Sequence, residues 1–174
     1  MLKSDNRSQK ITQTASIAAI YAILTYISAS MGLAYLGMQF RISEALTILP
    51  IFTPSAIPGL AIGCLIANIG SPYGIIDLIL GPFSSFLAAK LTRKLRHFRV
   101  RGIPILAPLP SIIINVLVVG SLVTCMLPEG FTLISLLASM INIGLSELAI
   151  CYGIGLPLAV LLEKTNIIKT LSVS

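Results

Sequence analysis

The sequence predicts an all-α membrane protein with six transmembrane helices, and three observations lead there. Hydrophobic residues make up 56% of the 174-residue chain and charged residues only 10%. The apolar residues are gathered into runs, several long enough to cross about 30 Å of hydrocarbon. The charges are confined in turn. Apart from Arg41, every Lys and Arg falls in one of three places: Lys3, Arg7 and Lys10 near the N-terminus, the run Lys90, Arg93, Lys94, Arg96, Arg99 and Arg101, and Lys164 with Lys169 near the C-terminus. Basic residues collect on the cytoplasmic side of a membrane. Six crossings put all three clusters on that side, whereas five or seven would misplace one. The expectation is a single integral domain over residues 1–174, multi-pass in the cell membrane, with both termini cytoplasmic.

The elements follow in order. Ile11 to about Gly37 forms the first apolar stretch. A shorter one runs from Ile42 to Phe52 and stops near Pro54. Ala56 to Ile69 is the third, ended by the turn signal Gly70-Ser71-Pro72. Gly74 to about Leu91 is the fourth. The basic run 90–101 cannot lie in hydrocarbon. Ile103 to Leu127 is the fifth, broken at its start by Pro104, Pro108 and Pro110, and Pro128-Glu129-Gly130 breaks the chain after it. Phe131 to Leu162 is too long for one untilted span. Its first third is expected as a surface or re-entrant piece, with the crossing from about Asn142 to Glu163.

Several function classes are set aside by composition. A largely polar stretch of ten residues precedes an apolar run too long for a signal peptide, so no cleavable leader is expected. The net charge of +6 sits in loops and reads as topology and contact with the lipid bilayer. It does not read as a nucleic-acid surface, which needs basic residues with stacking aromatics on one folded face. Cys64, Cys125 and Cys151 lack metal-ligand spacing, and His97 is the only histidine, so no metal or other cofactor is expected. No G-x-x-x-x-G-K-[ST] occurs, so the chain is not expected to hydrolyse ATP itself.

What remains is a set of polar residues isolated in apolar surroundings. Arg41 and Glu44 open the second crossing, Asn68 closes the third, and Tyr73 and Asp77 begin the fourth. Asn115 lies near the middle of the fifth, and Asn142, Ser146 and Glu147 lie in the outer half of the sixth. All converge on the outward half, where a charged side chain costs about 2.5–3.5 kcal/mol on insertion scales unless it faces a partner, water or a ligand. Bland readings stand beside this one. Arg41 and Glu44, three apart, could be a structural ion pair, with Glu44 shared between Arg41 and a ligand. Asp77 could stabilise a helix N-terminus, Asn115 could bond between helices, and Asn68 could cap a helix end. Glu147 has no evident cationic partner in sequence.

The segment Gln39-Phe40-Arg41-Ile42-Ser43-Glu44-Ala45-Leu46-Thr47, then Phe52-Thr53-Pro54, Ala56-Ile57-Pro58-Gly59-Leu60 and Ile62 to Asn68, resembles the QueT family. These are substrate-binding S components of energy-coupling-factor (ECF) transporters. The resemblance implies a compact S-component bundle that binds queuosine precursors, 7-deazaguanines such as preQ0, preQ1 or queuine. It also implies partners, a transmembrane coupling subunit and two ATPase subunits, and therefore a transport subunit rather than an enzyme. The residues suit such a guest. A carboxylate can accept the ring N–H and the exocyclic amine together, an amide can donate to the carbonyl, and a cationic substituent would favour a second acid. Glu44, Asp77 and Glu147 are the candidate acids, and Gln39, Asn68, Asn115 and Asn142 the amides. Phe40, Tyr73 or Tyr152 could line a slot for the ring. By resemblance, the small residues Ala15, Ala19 and Ala22 of the first helix dock on the coupling subunit, although such spacing also serves packing within a bundle. The alternatives are an S component for another small vitamin or nucleobase, and a small membrane enzyme, which the scatter of acids without histidine disfavours.

Overall fold

The computed structural model describes residues 2–35, 39–128 and 130–165. Gly37, Glu129 and Lys169 therefore lie outside the described residues. Within them the fold is helical, with six apolar segments in the expected order. Helix α1 is Leu2–Ser30, a 3-10 helix spans Ile42–Ile51, α2 is Ala56–Ala67, α3 is Gly74–Lys94 and α4 is Leu109–Cys125. The last segment joins α5, Leu133–Ile150, through a π turn at Cys151–Gly155 to α6, Leu156–Lys164. Three helical stretches are long and apolar enough to cross a membrane: Arg7–Ser30, Gly74–His97 and Leu133–Lys164. Their outward faces carry exposed Ile23, Ile79, Phe83 and Leu145, the side chains a hydrocarbon solvent favours.

Side-chain contacts fix the alternation. Gly59 meets Ile17 and Gly63 meets Tyr21, so α1 and α2 run parallel. Gly81 of α3 meets Cys64, while Asn68, further along the chain, reaches back to the carbonyl of Asp77, so α3 returns antiparallel. The Arg93 guanidinium donates to the Pro50 carbonyl at 2.9 Å, and Arg99 pairs with Glu163 at 2.6 Å. These contacts gather the basic run, the end of the 3-10 helix and α6 at one end of the bundle. At the opposite end the Tyr35 hydroxyl donates to the Ala67 carbonyl at 2.8 Å, and the Tyr73 hydroxyl donates to the Tyr35 carbonyl at 2.9 Å.

The structure revises three sequence expectations. The first helix stops at Ser30 because Gly32 takes φ +73°, the left-handed conformation that ends helices. Ile103 bridges to Val100 and residues 105–108 form turns, because the prolines there remove donors, and α4 begins only at Leu109. The expected re-entrant piece over 131–141 is instead the start of a continuous helix. There Thr132 and Ser135 cap the helix reciprocally, side chain to backbone N–H in both directions, at 3.0 Å each.

The middle of the bundle is taken by its least regular elements. Ten 3-10 residues at about 2.0 Å rise reach only about 20 Å, yet Ser43 to Ile48, Pro50 and Ile51 are all buried. A polar stripe on α1 accounts for much of this. Tyr21, Thr25 and Ser28 follow helical spacing, and each bonds to the 3-10 helix: Tyr21 to Glu44, Thr25 to Ser43 at 2.7 Å, and Ser28 to the Ile42 N–H at 3.0 Å. The π turn lies on the other side. A Cβ on Gly155 would come within 3.1 Å of the Ala45 carbonyl oxygen, so the backbones touch there. Pro157 lies just beyond it and contributes no N–H, which fits the widened turn.

Candidate functional site

Four charged side chains meet in this interior, each almost sealed from solvent. Asp77 is 2% exposed, Glu44 4%, Glu147 6% and Arg41 7%. Together with Gln39 and Asn115 they line one small cavity, closed further by Cys64, Gly81, Ser85, Val119 and Ile143. Its free volume is about 10 Å³, room for one water molecule. A bicyclic guest would enter only with movement of the lining.

The cluster has two sides. On one, Arg41 precedes the 3-10 helix in extended backbone, φ −91° and ψ 105°, so its side chain leaves the face that Glu44 occupies. Its Nε donates to the Ala34 carbonyl at 3.0 Å and its Nη1 to the Asn68 side-chain oxygen at 3.5 Å. Its Nη2 lies 3.8 Å from Asp77, and its guanidinium sits 5.0 Å from the centre of the Tyr35 ring. Asp77 accepts from the Ser71 hydroxyl at 2.6 Å, and the Asn68 amide donates to the Asp77 carbonyl at 3.0 Å. A Cβ on Gly81 would stand 2.3 Å from that amide nitrogen, so glycine is what lets Asn68 reach α3.

On the other side, Asn115 of α4 turns its amide nitrogen between two carboxylates. It donates to Glu147 at 2.8 Å and to Glu44 at 3.5 Å. Glu44 also accepts from the fully buried Tyr21 hydroxyl at 2.5 Å. Glu147 accepts in addition from the Cys151 thiol at 3.4 Å, one helical turn on. Neither carboxylate has a cation within 4 Å among the described residues, where the buried pair is Arg41 with Asp77.

The residues named from sequence therefore separate. Gln39, Arg41, Glu44, Asp77, Asn115 and Glu147 come together at the cavity. Asn68 stands behind it, holding Arg41 and α3. Four others are elsewhere. Phe40 is tied through its backbone N–H to the Leu33 carbonyl. Asn142 is partly exposed and does not line the cavity. Tyr73 packs near Val119 and Val123 with its hydroxyl turned to the Tyr35 carbonyl in the loop after α1. Tyr152 does not line the cavity either, because its hydroxyl reaches the Ile105 carbonyl toward the basic end. The expected aromatic slot is thus replaced by aliphatic Val119 and Ile143. Of the pairings the sequence left open for Arg41, the structure shows Arg41 with Asp77. Tyr21 and Cys151 were missed as partners of the carboxylates. For Tyr21 the signal was legible in the Tyr21, Thr25, Ser28 spacing. For Cys151 it was not, because a cysteine in an apolar run reads as packing.

Of the small residues on α1, Ala15 and Ala19 are exposed, but Ala22 is 5% exposed and turns inward. Ala18 serves the bundle as well, since a Cβ on Gly63 would meet its carbonyl oxygen at 2.9 Å. Small residues here bring α1 and α2 together, and the face left open is Ala15 and Ala19.

Fold and site together define a helical membrane protein that encloses a charged, polar cavity near one end of its bundle, remote from its basic end. A family model described as QueT transporter matches residues 11–164, and the chain belongs to that family of transporters. It is also similar to the queuosine precursor transporter QueT of Lactococcus lactis subsp. cremoris (strain MG1363), 33% identical over 86 residues. That similarity covers 49% of this chain and 50% of the relative, about half the length of each. No solved structure matches the chain.

Proposed function

We propose that this chain is the substrate-binding component of an ECF-type importer and takes up a queuosine precursor, a 7-deazaguanine, at the Glu44–Asn115–Glu147 array. The observation behind this reading is that array itself: two buried carboxylates that share one amide donor and have no cation of their own. Such groups are costly in a membrane interior unless a guest compensates them. A 7-deazaguanine presents a ring N–H beside an exocyclic amine, and a carboxylate accepts both. Glu44 is the carboxylate for that edge, held in place by Tyr21. The name of the Lactococcus relative supports the same class of guest.

The basic end, with Arg7, Lys10 and the run 90–101, faces the cytoplasm of the cell membrane by the positive-inside rule, which leaves the cavity toward the exterior. A coupling subunit and two ATPases supply the work. The coupling subunit meets α1 at the exposed Ala15 and Ala19, beside a cavity of about 560 Å³ that Thr12, Ser16, Ile20, Leu49 and Phe52 help to line. Titration calorimetry of the purified chain tests the reading. Binding of a 7-deazaguanine at micromolar concentration or below is expected, with biotin, riboflavin and thiamine silent. Silence toward 7-deazaguanines, or a response to one of the vitamins, would remove it. Glu44→Gln is expected to weaken binding about tenfold or more, because a charge-assisted hydrogen bond becomes a neutral one.

A further inference from the structure

The cavity has one carboxylate more than a neutral 7-deazaguanine uses. Among Arg41, Glu44, Asp77 and Glu147 there are three acids and one base, and the base is engaged by Asp77 at 3.8 Å. Glu44 and Glu147 remain. Glu44 has the stronger set of donors, the Tyr21 hydroxyl at 2.5 Å with Asn115 behind it. Glu147 has Asn115 on one oxygen, and on the other only the Cys151 thiol, a weak donor. A separate observation marks the cavity as incomplete. Gln39 is 5% exposed and lines it, and its Nε2, which carries two donors, has no partner among the described residues beyond the neighbouring Tyr73 hydroxyl. A buried amide donor without an acceptor is rare in a folded protein, and a ring carbonyl is the acceptor it lacks.

With Glu44 on the N–H and amine edge and Gln39 on the carbonyl, a neutral guest leaves Glu147 uncompensated. We propose that Glu147 selects a primary ammonium on the guest, so that the cavity prefers 7-aminomethyl-7-deazaguanine over its neutral 7-cyano counterpart. This rests on the reading that the cavity takes a 7-deazaguanine at all. An ammonium brings three donors and a charge opposite to a carboxylate's. A nitrile offers only an acceptor and would set its lone pair against a carboxylate. Glu147 here acts on specificity, and Glu44 on affinity for the shared ring.

Calorimetry with both compounds on the purified full chain decides the matter. Wild type is expected to bind the aminomethyl compound about tenfold tighter or more, the difference a charge-assisted hydrogen bond makes. Glu147→Gln is expected to bring the two affinities together. Glu44→Gln is expected to weaken both and leave their ratio. Equal affinities in wild type, tighter binding of the nitrile, or an unchanged ratio in Glu147→Gln would overturn the assignment while leaving the deazaguanine site standing. If neither compound binds wild type, the site itself fails and this inference fails with it. The wild-type ratio is read without any variant, so it holds even if a substitution impairs folding.

Discussion

The Asp77 side and the Glu147 side of the cluster are built from similar residues at similar depth, yet only one is complete. Asp77 has a cation, a hydroxyl and a neighbouring amide on its own backbone, and Arg41 has donors placed on Ala34, Asn68 and Asp77. Those contacts join the loop before the 3-10 helix, the end of α2 and the start of α3. Glu147 and Glu44 share one amide between them, with the Tyr21 hydroxyl added on Glu44 and the weak Cys151 thiol on Glu147, and among the described residues neither has a cation within 4 Å. A buried charge that is fully partnered holds a fold together, whereas one left short of partners is where the proposed guest would supply them. Like chemistry is thus closed on itself on one side and left open on the other.

That comparison can be broken in graded steps. The largest effect should come from Asp77→Asn, which leaves Arg41 buried without its counter-charge. Removing one member of such a pair costs about 3–5 kcal/mol. A fall in melting temperature of roughly 10 °C in detergent is expected, and an unchanged melting curve would mean that Asp77 is not part of the frame. Tyr21→Phe should cost less, about 1.5–3 kcal/mol for a hydrogen bond to a charged group. It should also loosen ligand binding, since it frees Glu44 to move, and a variant with unaltered binding would separate Tyr21 from the site.

Gly81→Ala sharpens the line between the two sides. The added Cβ collides with the Asn68 amide, and overpacking of this kind costs about 1–3 kcal/mol. Its effect should fall on thermal stability and leave the ratio of affinities for two ligands unaltered. Asn142→Ala should do least, within about 0.5 kcal/mol in stability and without change in ligand affinity, because Asn142 does not line the cavity. A marked loss of binding in that variant would relocate the site toward the face of α5 that carries Asn142.

Much of this molecule was legible in the chain. Arg41, Glu44, Asp77, Asn115 and Glu147 stood out because ionisable and amide groups in apolar runs are costly. Their place in the order of crossings put them at one depth. What sequence could not give was their pairing. Arg41 and Glu44 are three apart, and helical spacing alone would join them. The extended backbone at Arg41 sends the guanidinium to Asp77 instead. Asn142 shares the depth of the others but not their direction, and only the rotation of α5 decides that. Tyr152 falls on the π turn after α5, and its hydroxyl reaches the Ile105 carbonyl instead.

The sequence by itself determined the helical, membrane-embedded class, the six apolar segments and the separation of a basic end from a polar one. Each of these follows from the cost of placing charge and unpaired backbone in hydrocarbon, which composition and order already express. Tertiary structure decided which acid keeps the arginine, which two share an asparagine, and that the inward face of α1 holds Tyr21 and Ala22. Those outcomes depend on helix rotation, on close approach at Gly63 and Gly81, and on a ten-residue 3-10 segment at the centre. They are relations between distant parts of the chain, and contacts of that kind come into being only when the bundle is assembled.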